Sequence, residues 1–268
     1  MRALLVAAGT AAAVGVTAVA AQGQGEPWRF NGMRNGFCVE FLVDSARIRS
    51  FLPSGAMPLR ADRMQQLHPA IARTVQEQPE FGAWTPASAC FYFFDEVVVA
   101  GRPMASTRPE GEMIGFVSFA ARMLEDRGRS GDVLDVLLAS NWKGMRSADD
   151  EGLSLQRASV AVEDIPNSAN RRVTVKVGGT VLRWEGHGAS DSAAASSPVE
   201  RRWMVKGVDR RYRLVTMRLT PANSRSLIGS LIVEGDGDLA KAMRGSPIRY
   251  VGPGYRGGNG ELVNELVN

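Results

Sequence analysis

The sequence predicts an α+β fold, mostly antiparallel β, in which a large sheet is joined by a few short helices near the N-terminal part of the chain. Three observations predict it. From residue 87 onward the chain is dominated by aromatic and β-branched runs separated by Gly, Asn, Asp and Ser. Residues 171–185 read as a hairpin: Val173, Val175 and Val177 alternate, Gly178-Gly179 supplies positive φ for a tight turn, and residues 181–184 return. Helix signals gather before residue 80, with one later exception at residues 238–244.

The elements follow in order. Residues 37–43 form a strand. Asp44 and Ser45 can accept from the first free amides of a short helix reaching Leu52, which Pro53-Ser54-Gly55 ends. Residues 60–67 are helix-like. Pro69 suits the first turn of a further helix running to Glu77, where its missing N–H costs nothing. Residues 88–100 are a strand, or two strands meeting near Asp95-Glu96, and residues 114–122 are another. Residues 133–138 are apolar and ambiguous between helix and strand. Residues 153–162 read as a strand. Residues 201–206 and 211–219 form a second hairpin about Gly207-Val208-Asp209, and residues 226–233 are the last strong strand. Asp236 and Asp238 favour a helix start before residues 238–244. The Ser- and Ala-rich residues 189–198 read as an exposed loop within the domain.

The N-terminus carries an export signal. Met1-Arg2 supplies the positive charge, residues 3–20 are almost wholly apolar or small, and Ala18-Val19-Ala20-Ala21-Gln22 offers a small-x-small cleavage site. The alternative is a retained anchor, but Ala, Gly, Val and Thr insert weakly compared with Leu, Ile and Phe. The expected organisation is a secretory signal at 1–21, a flexible lead-in at 22–35, a single β-rich domain at 36–255 and a glycine-rich tail at 256–268. The expected location is periplasmic or secreted, with no stable membrane span after signal cleavage. In an oxidising compartment the two cysteines, Cys38 and Cys90, are expected to pair; the alternative is two buried thiols.

Composition excludes more than it assigns. Hydrophobic residues make up 44% and charged residues 22%, an ordinary globular balance. The net charge is +4, and all but four of the 32 basic residues are arginine. The arginines are scattered, with pairs at Arg171-Arg172, Arg201-Arg202 and Arg210-Arg211. They read as solvated strand ends, since no helix-turn-helix, zinc-finger or aromatic-basic signature accompanies them. Nucleic acid is therefore not expected as a partner. No phosphate loop, dinucleotide fingerprint or Gly-x-Ser-x-Gly elbow is present, and no cofactor is expected. The two histidines, His68 and His187, are too few for the usual ligand set of a catalytic zinc, so no metal is expected, and both read as structural. Ser140-Asn141-Trp142-Lys143 fits Ser-x-x-Lys without the partner motifs that a penicillin-binding enzyme needs. Lys176 falls opposite Val173, Val175 and Val177 in the strand period, on a wet face.

Residues 41–118 resemble the acetoacetate decarboxylase superfamily. The resemblance is carried by Phe41-Leu42-Val43-Asp44 with Phe51-Leu52-Pro53-Ser54-Gly55 after it, by the aromatic run at residues 90–94, and by Glu112-Met113-Ile114-Gly115-Phe116-Val117-Ser118. The last is similar to the family's Glu-x-x-Gly-(Phe/Tyr)-Pro-Lys segment. It implies a barrel-like sheet around an apolar pocket with Glu112 directed toward it. In the family, the lysine of that segment forms a Schiff base with a β-keto acid, its pKa depressed by a neighbouring cation. Here Val117 and Ser118 stand where Pro-Lys would be, and serine cannot form an imine. The resemblance thus implies a pocket lined by Phe91, Phe93, Phe116 and Ser118, with Arg102 or Arg122 fixing a carboxylate and Glu112 as acid or base. Three readings stay open: a binding protein for a small apolar or carbonyl/carboxylate ligand, an enzyme acting on a β-keto acid or related ester through Glu112, and a cell-envelope interaction protein using its arginines. The oligomeric state is not fixed by the sequence.

Overall fold

The structure is a computed structural model that describes residues 26–123, 130–141, 155–189, 194–195, 197–206 and 212–266. The signal segment, the Gly207-Val208-Asp209 turn, Trp142, Lys143 and part of the Ser/Ala-rich loop lie outside the described residues.

In chain order the strands are β1 (Trp28–Val43), β2 (Ala56–Pro58), β3 (Thr85–Val99), β4 (Arg102–Ala105), β5 (Glu112–Met123), β6 (Ser130–Ala139), β7 (Leu155–Arg157), β8 (Ser159–Asp164), β9 (Arg171–Val177), β10 (Thr180–Gly188), β11 (Ala194–Ala195), β12 (Val199–Lys206), β13 (Tyr212–Thr220), β14 (Asn223–Arg225), β15 (Leu227–Gly235), β16 (Arg249–Arg256) and β17 (Asn259–Leu266). Two α-helices join them, α1 (Pro69–Glu77) and α2 (Asp238–Arg244).

The larger sheet is curved and barrel-like. Its pairings run from β1 to β17, β13, β12, β6, β5 and β3, and β3 pairs with β1 again. All these pairings are antiparallel except that of β6 with β12. Each of the seven strands contributes to one apolar interior, which includes Trp28, Tyr92, Phe116, Leu137, Trp203, Met217 and Leu262. Phe116 stacks on Trp203 with ring centroids 4.6 Å apart. The opposite face of β1, β3 and β5 carries Phe37, Phe41, Phe91, Phe93 and Phe119. It packs on a four-stranded sheet of order β15-β10-β9-β8 and on α2. The wall formed by β1, β3 and β5 is therefore covered on both sides, which explains why residues 37–43, 85–94 and 112–121 are apolar without strict alternation.

The hairpin at residues 171–188 forms as expected, with Gly178 and Gly179 at φ +49° and +74° in its turn. Residues 85–99 are one strand, and the ambiguous residues 133–138 belong to β6. Lys176 is exposed. Other expectations are corrected. The early helices at residues 44–52 and 60–67 shrink to single 3₁₀ turns, Ile48–Ser50 and Ala61–Arg63. Segments this short do not sustain a helix in isolation, and what holds the first is burial of Ile48 and the contact of Phe51 with Phe119. The lead-in expected to be flexible is already strand from Trp28, because Trp28 and Phe30 alternate into the interior. The glycine-rich tail is strand β17. Gly260 lies so close to Leu219 and Phe30 that its missing Cβ admits the pairing with both β1 and β13.

Candidate functional site

Cys38 and Cys90 face each other directly across β1 and β3 and form a disulfide, with their Cα atoms 4.0 Å apart. The bridge points into the barrel-like interior and belongs to a polar lane within it. Arg201 of β12 donates through Nη2 to Glu40 Oε1 at 3.1 Å and lies 3.6 Å from Cys38 Sγ. The Tyr92 hydroxyl lies 3.4 Å from the same sulfur. Burial pushes the Tyr92 phenol well above its ordinary value, against the pull of Arg201. The phenol of Tyr255 is raised by the same cause. Ser88 and Ser118, opposite each other on β3 and β5, share a hydrogen bond of 2.9 Å in the same interior. Beside this lane a cavity of about 210 Å³ reaches Glu40, Ser88 and Arg201 from under α1. His68 stands at its wall as the cap of α1, accepting from the Ala70 amide through Nδ1 at 3.2 Å.

A second and larger cavity, of about 500 Å³, lies between the two sheets. It opens where the register of β1 with β3 slips between Met33 and Asn35, and Asn35 and Gly36 line it. Phe37, Phe93, Val173, Trp184 and Leu227 give it an apolar floor. The buried indole N–H of Trp184 has no hydrogen-bond partner among the described residues. Arg171, Arg225 and Arg256 stand at its wall with His187 and Tyr255, and no Asp or Glu among the described residues lines it. Arg171 is held by Asp164 at 2.7 Å. Arg225 and Arg256 have no carboxylate partner among the described residues. Arg225 lies across Gly188, where a Cβ would stand 1.9 Å from its Cδ, so the glycine is what lets the cation sit against β10. A cavity with this lining is complementary to a small molecule with an apolar body and one anionic group.

No protein-family model matches the sequence, and no curated protein matches it. Among solved structures, acetoacetate decarboxylase from Legionella pneumophila subsp. pneumophila str. Philadelphia 1 superposes with a TM-score of 0.52 at 12% identity, over 92% of this chain and 90% of that one. The chain has the acetoacetate decarboxylase-like fold. An acetoacetate decarboxylase-like enzyme from Sphingomonas wittichii RW1 matches at a TM-score of 0.47 and 11% identity, over 91% of this chain and 93% of that one. The enduracididine biosynthesis enzyme MppR matches at 0.47 and 15%, over 91% and 88%.

Within this decarboxylase-like fold the residues singled out by sequence fall in several places. Glu112, at the start of β5, is buried on the interior face and accepts from the Ser140 hydroxyl at 2.8 Å, while the Met113 amide donates to the same hydroxyl oxygen. Phe116 and Ser118 share that interior face. Phe91 and Phe93 occupy the other face of the wall, and of the four only Phe93 reaches the intersheet cavity. The strand period separates them, so one pocket does not hold all four. Arg102 and Arg122 are exposed and line none of the cavities described above. The intersheet set was missed because its members are isolated in sequence. His187, at the end of β10, read only as a structural histidine, and Arg225, Tyr255 and Arg256 carry no motif. Among the described residues no group of three His, Cys, Asp or Glu side chains is placed to hold a metal, and no helix is long and apolar enough to cross a membrane.

Proposed function

We propose that this chain is an exported protein of decarboxylase-like fold that binds a small apolar carboxylate in the cavity between its two sheets. The observation that carries the reading is the cavity lining, an aromatic and aliphatic floor under three arginines with no acidic side chain among the described residues. Two of those guanidiniums are left to meet an anion from solution, and charge-assisted hydrogen bonds to Arg are the strong ones. Export is supported by the apolar N-terminal segment and by the disulfide, since such bridges persist in oxidising compartments. The test is to express the full chain with its signal, recover the exported fraction and titrate it with 3-phenylpropionate by calorimetry. Saturable binding that Arg225→Ala and Arg256→Ala each weaken supports the reading. Absence of binding, or binding indifferent to both arginines, refutes it. The mass of the same fraction reports signal cleavage, and an uncleaved cytoplasmic product refutes export.

A second reading has its own observation. Glu112 is a buried carboxylate whose side-chain hydrogen bond comes from a hydroxyl and not from a cation. Such a group can serve as an acid or base in an enzyme acting on a β-keto acid or ester. Turnover abolished by Glu112→Gln supports that reading, and turnover that survives the substitution refutes it.

A further inference from the structure

The strand registers set how the three guanidiniums face the intersheet cavity. On β10 the inward residues are Leu182, Trp184, Gly186 and Gly188. Arg171 of β9 pairs with Gly186 and so shares that inward face. Asp164 pairs with Arg171 across β8 and β9 and holds its Nε at 2.7 Å, so this cation is already compensated. The other two cations come from the larger sheet. Across β14 and β16, Arg225 pairs with Gly254 and Asn223 with Arg256, so the two arginines are diagonal neighbours on one face. That face is the one turned to the cavity. A Cβ on Gly254 would stand 2.7 Å from Leu227 Cδ2, and one on Gly188 would stand 1.9 Å from Arg225 Cδ. Neither Arg225 nor Arg256 has a carboxylate partner among the described residues. Long side chains at diagonal positions are within reach of each other, and like charges so placed repel. Phe37, Phe93 and Trp184 are buried, whereas Arg171 and Arg256 are exposed, so the apolar floor lies inward and the charge at the rim.

We infer that the cavity selects apolar compounds that carry two carboxylates at one end over compounds that carry one. One carboxylate meets Arg225, the other meets Arg256, and the apolar body lies on Phe37, Phe93 and Trp184. Arg171 keeps Asp164. This inference rests on the reading of the cavity as a carboxylate site and adds the number of charges the ligand brings. A monocarboxylate leaves one of the two cations without a counter-charge. A dicarboxylate compensates both, relieves their mutual repulsion and gains a second set of charge-assisted hydrogen bonds.

The experiment compares 3-phenylpropionate with 2-benzylmalonate and 2-benzylsuccinate by calorimetry on the full-length exported protein. The three share one apolar body, and the diacids add a second carboxylate on the same carbon or on a neighbouring one. The buffer is mildly alkaline, so that every carboxyl is ionised. At least one diacid is expected to bind about tenfold more tightly than 3-phenylpropionate, the effect of one added hydrogen bond to a charged group. Arg225→Gln and Arg256→Gln each abolish that preference, because each leaves a single uncompensated cation. Arg73→Gln removes an exposed charge of α1 that lines none of the cavities described above, and leaves the preference unchanged. Binding of 3-phenylpropionate with neither diacid tighter overturns the inference while leaving the carboxylate site standing. A preference that survives both cavity substitutions, or that Arg73→Gln lowers as much as they do, reports the basic surface at large and overturns the inference as well. Failure of all three acids to bind overturns the carboxylate site and the inference with it.

Discussion

Removing the disulfide is expected to cost this protein stability on a scale that the topology sets. Cys38 and Cys90 are separated by 52 positions, and both are about 1% exposed on directly opposed strands. The chain-entropy relation for a loop of that length gives about 4 kcal/mol at 25 °C, acting through the unfolded chain. For a protein of this size that corresponds to a fall in Tm of about 8–16 °C. The native state loses little else: Arg201 keeps Glu40, and the long ladder between β1 and β3 remains. The double variant Cys38→Ala/Cys90→Ala is therefore expected to fold, with unchanged far-UV dichroism, and to melt earlier. A reductant added to the native protein has little effect until unfolding exposes the buried bridge. Thermal and urea melts of the variant give the number directly. A loss below about 1 kcal/mol refutes the reasoning, because it shows that the unfolded chain does not feel the loop.

Three further outcomes follow from the same structure. Glu40→Gln removes the carboxylate that Arg201 meets in the largely buried lane and is expected to cost about 3 kcal/mol in urea unfolding, while Glu40→Met/Arg201→Met recovers much of it. Gly188→Ala pushes Arg225 off β10 and is expected to weaken 3-phenylpropionate binding about tenfold by calorimetry, without removing a charge. The carboxyl of Glu200 is held below its ordinary value first by the hydrogen bond from Arg218 and then by Arg202. Its contribution is present above the unfolded-state pKa of about 4.3 and is lost as pH falls through the lower folded value. Arg218→Ala moves the Glu200 titration up toward the ordinary value, which a ¹³C-detected carboxyl titration reads. An unmoved titration refutes the assignment.

The strands were legible wherever burial on one face imposed a period. Val173, Val175 and Val177 with the two glycines after them located β9 and β10; β3, buried on both faces, was located instead by its unbroken aromatic run at residues 90–94. Segments at the edges of that logic were not legible. Residues 28–35 are half polar, and only their pairing with β3 and β17 shows that Trp28 and Phe30 are interior. Residues 44–52 carry a helix start but are too short to propagate one. Arg171 and Arg202 are exposed and meet Asp164 and Glu200, as solvated strand ends would, whereas Arg201 departs from that reading, since it meets Glu40 in the interior lane. The candidate site was hidden for a different reason. Its residues come from β1, β3, β8, β9, β10, β14, β15 and β16, and nothing local in the chain announces a wall assembled from single contributions. The strand after Glu112 was legible from residue 114, but that it begins at Glu112 and that Glu112 meets a hydroxyl depended on Ser140, which the pairing of β5 with β6 brings alongside.

The pairing of β17 with β1 joins the last described strand to the first. A chain that has not yet reached about residue 262 lacks the strand that pairs beside Trp28 and Phe30, so that part of the interior stays uncovered until β17 has been made. Contacts this distant in sequence also form slowly. The core around Trp28 and Phe30 is therefore finished only when β17, the strand most distant from them in sequence among the described residues, pairs with β1 and β13.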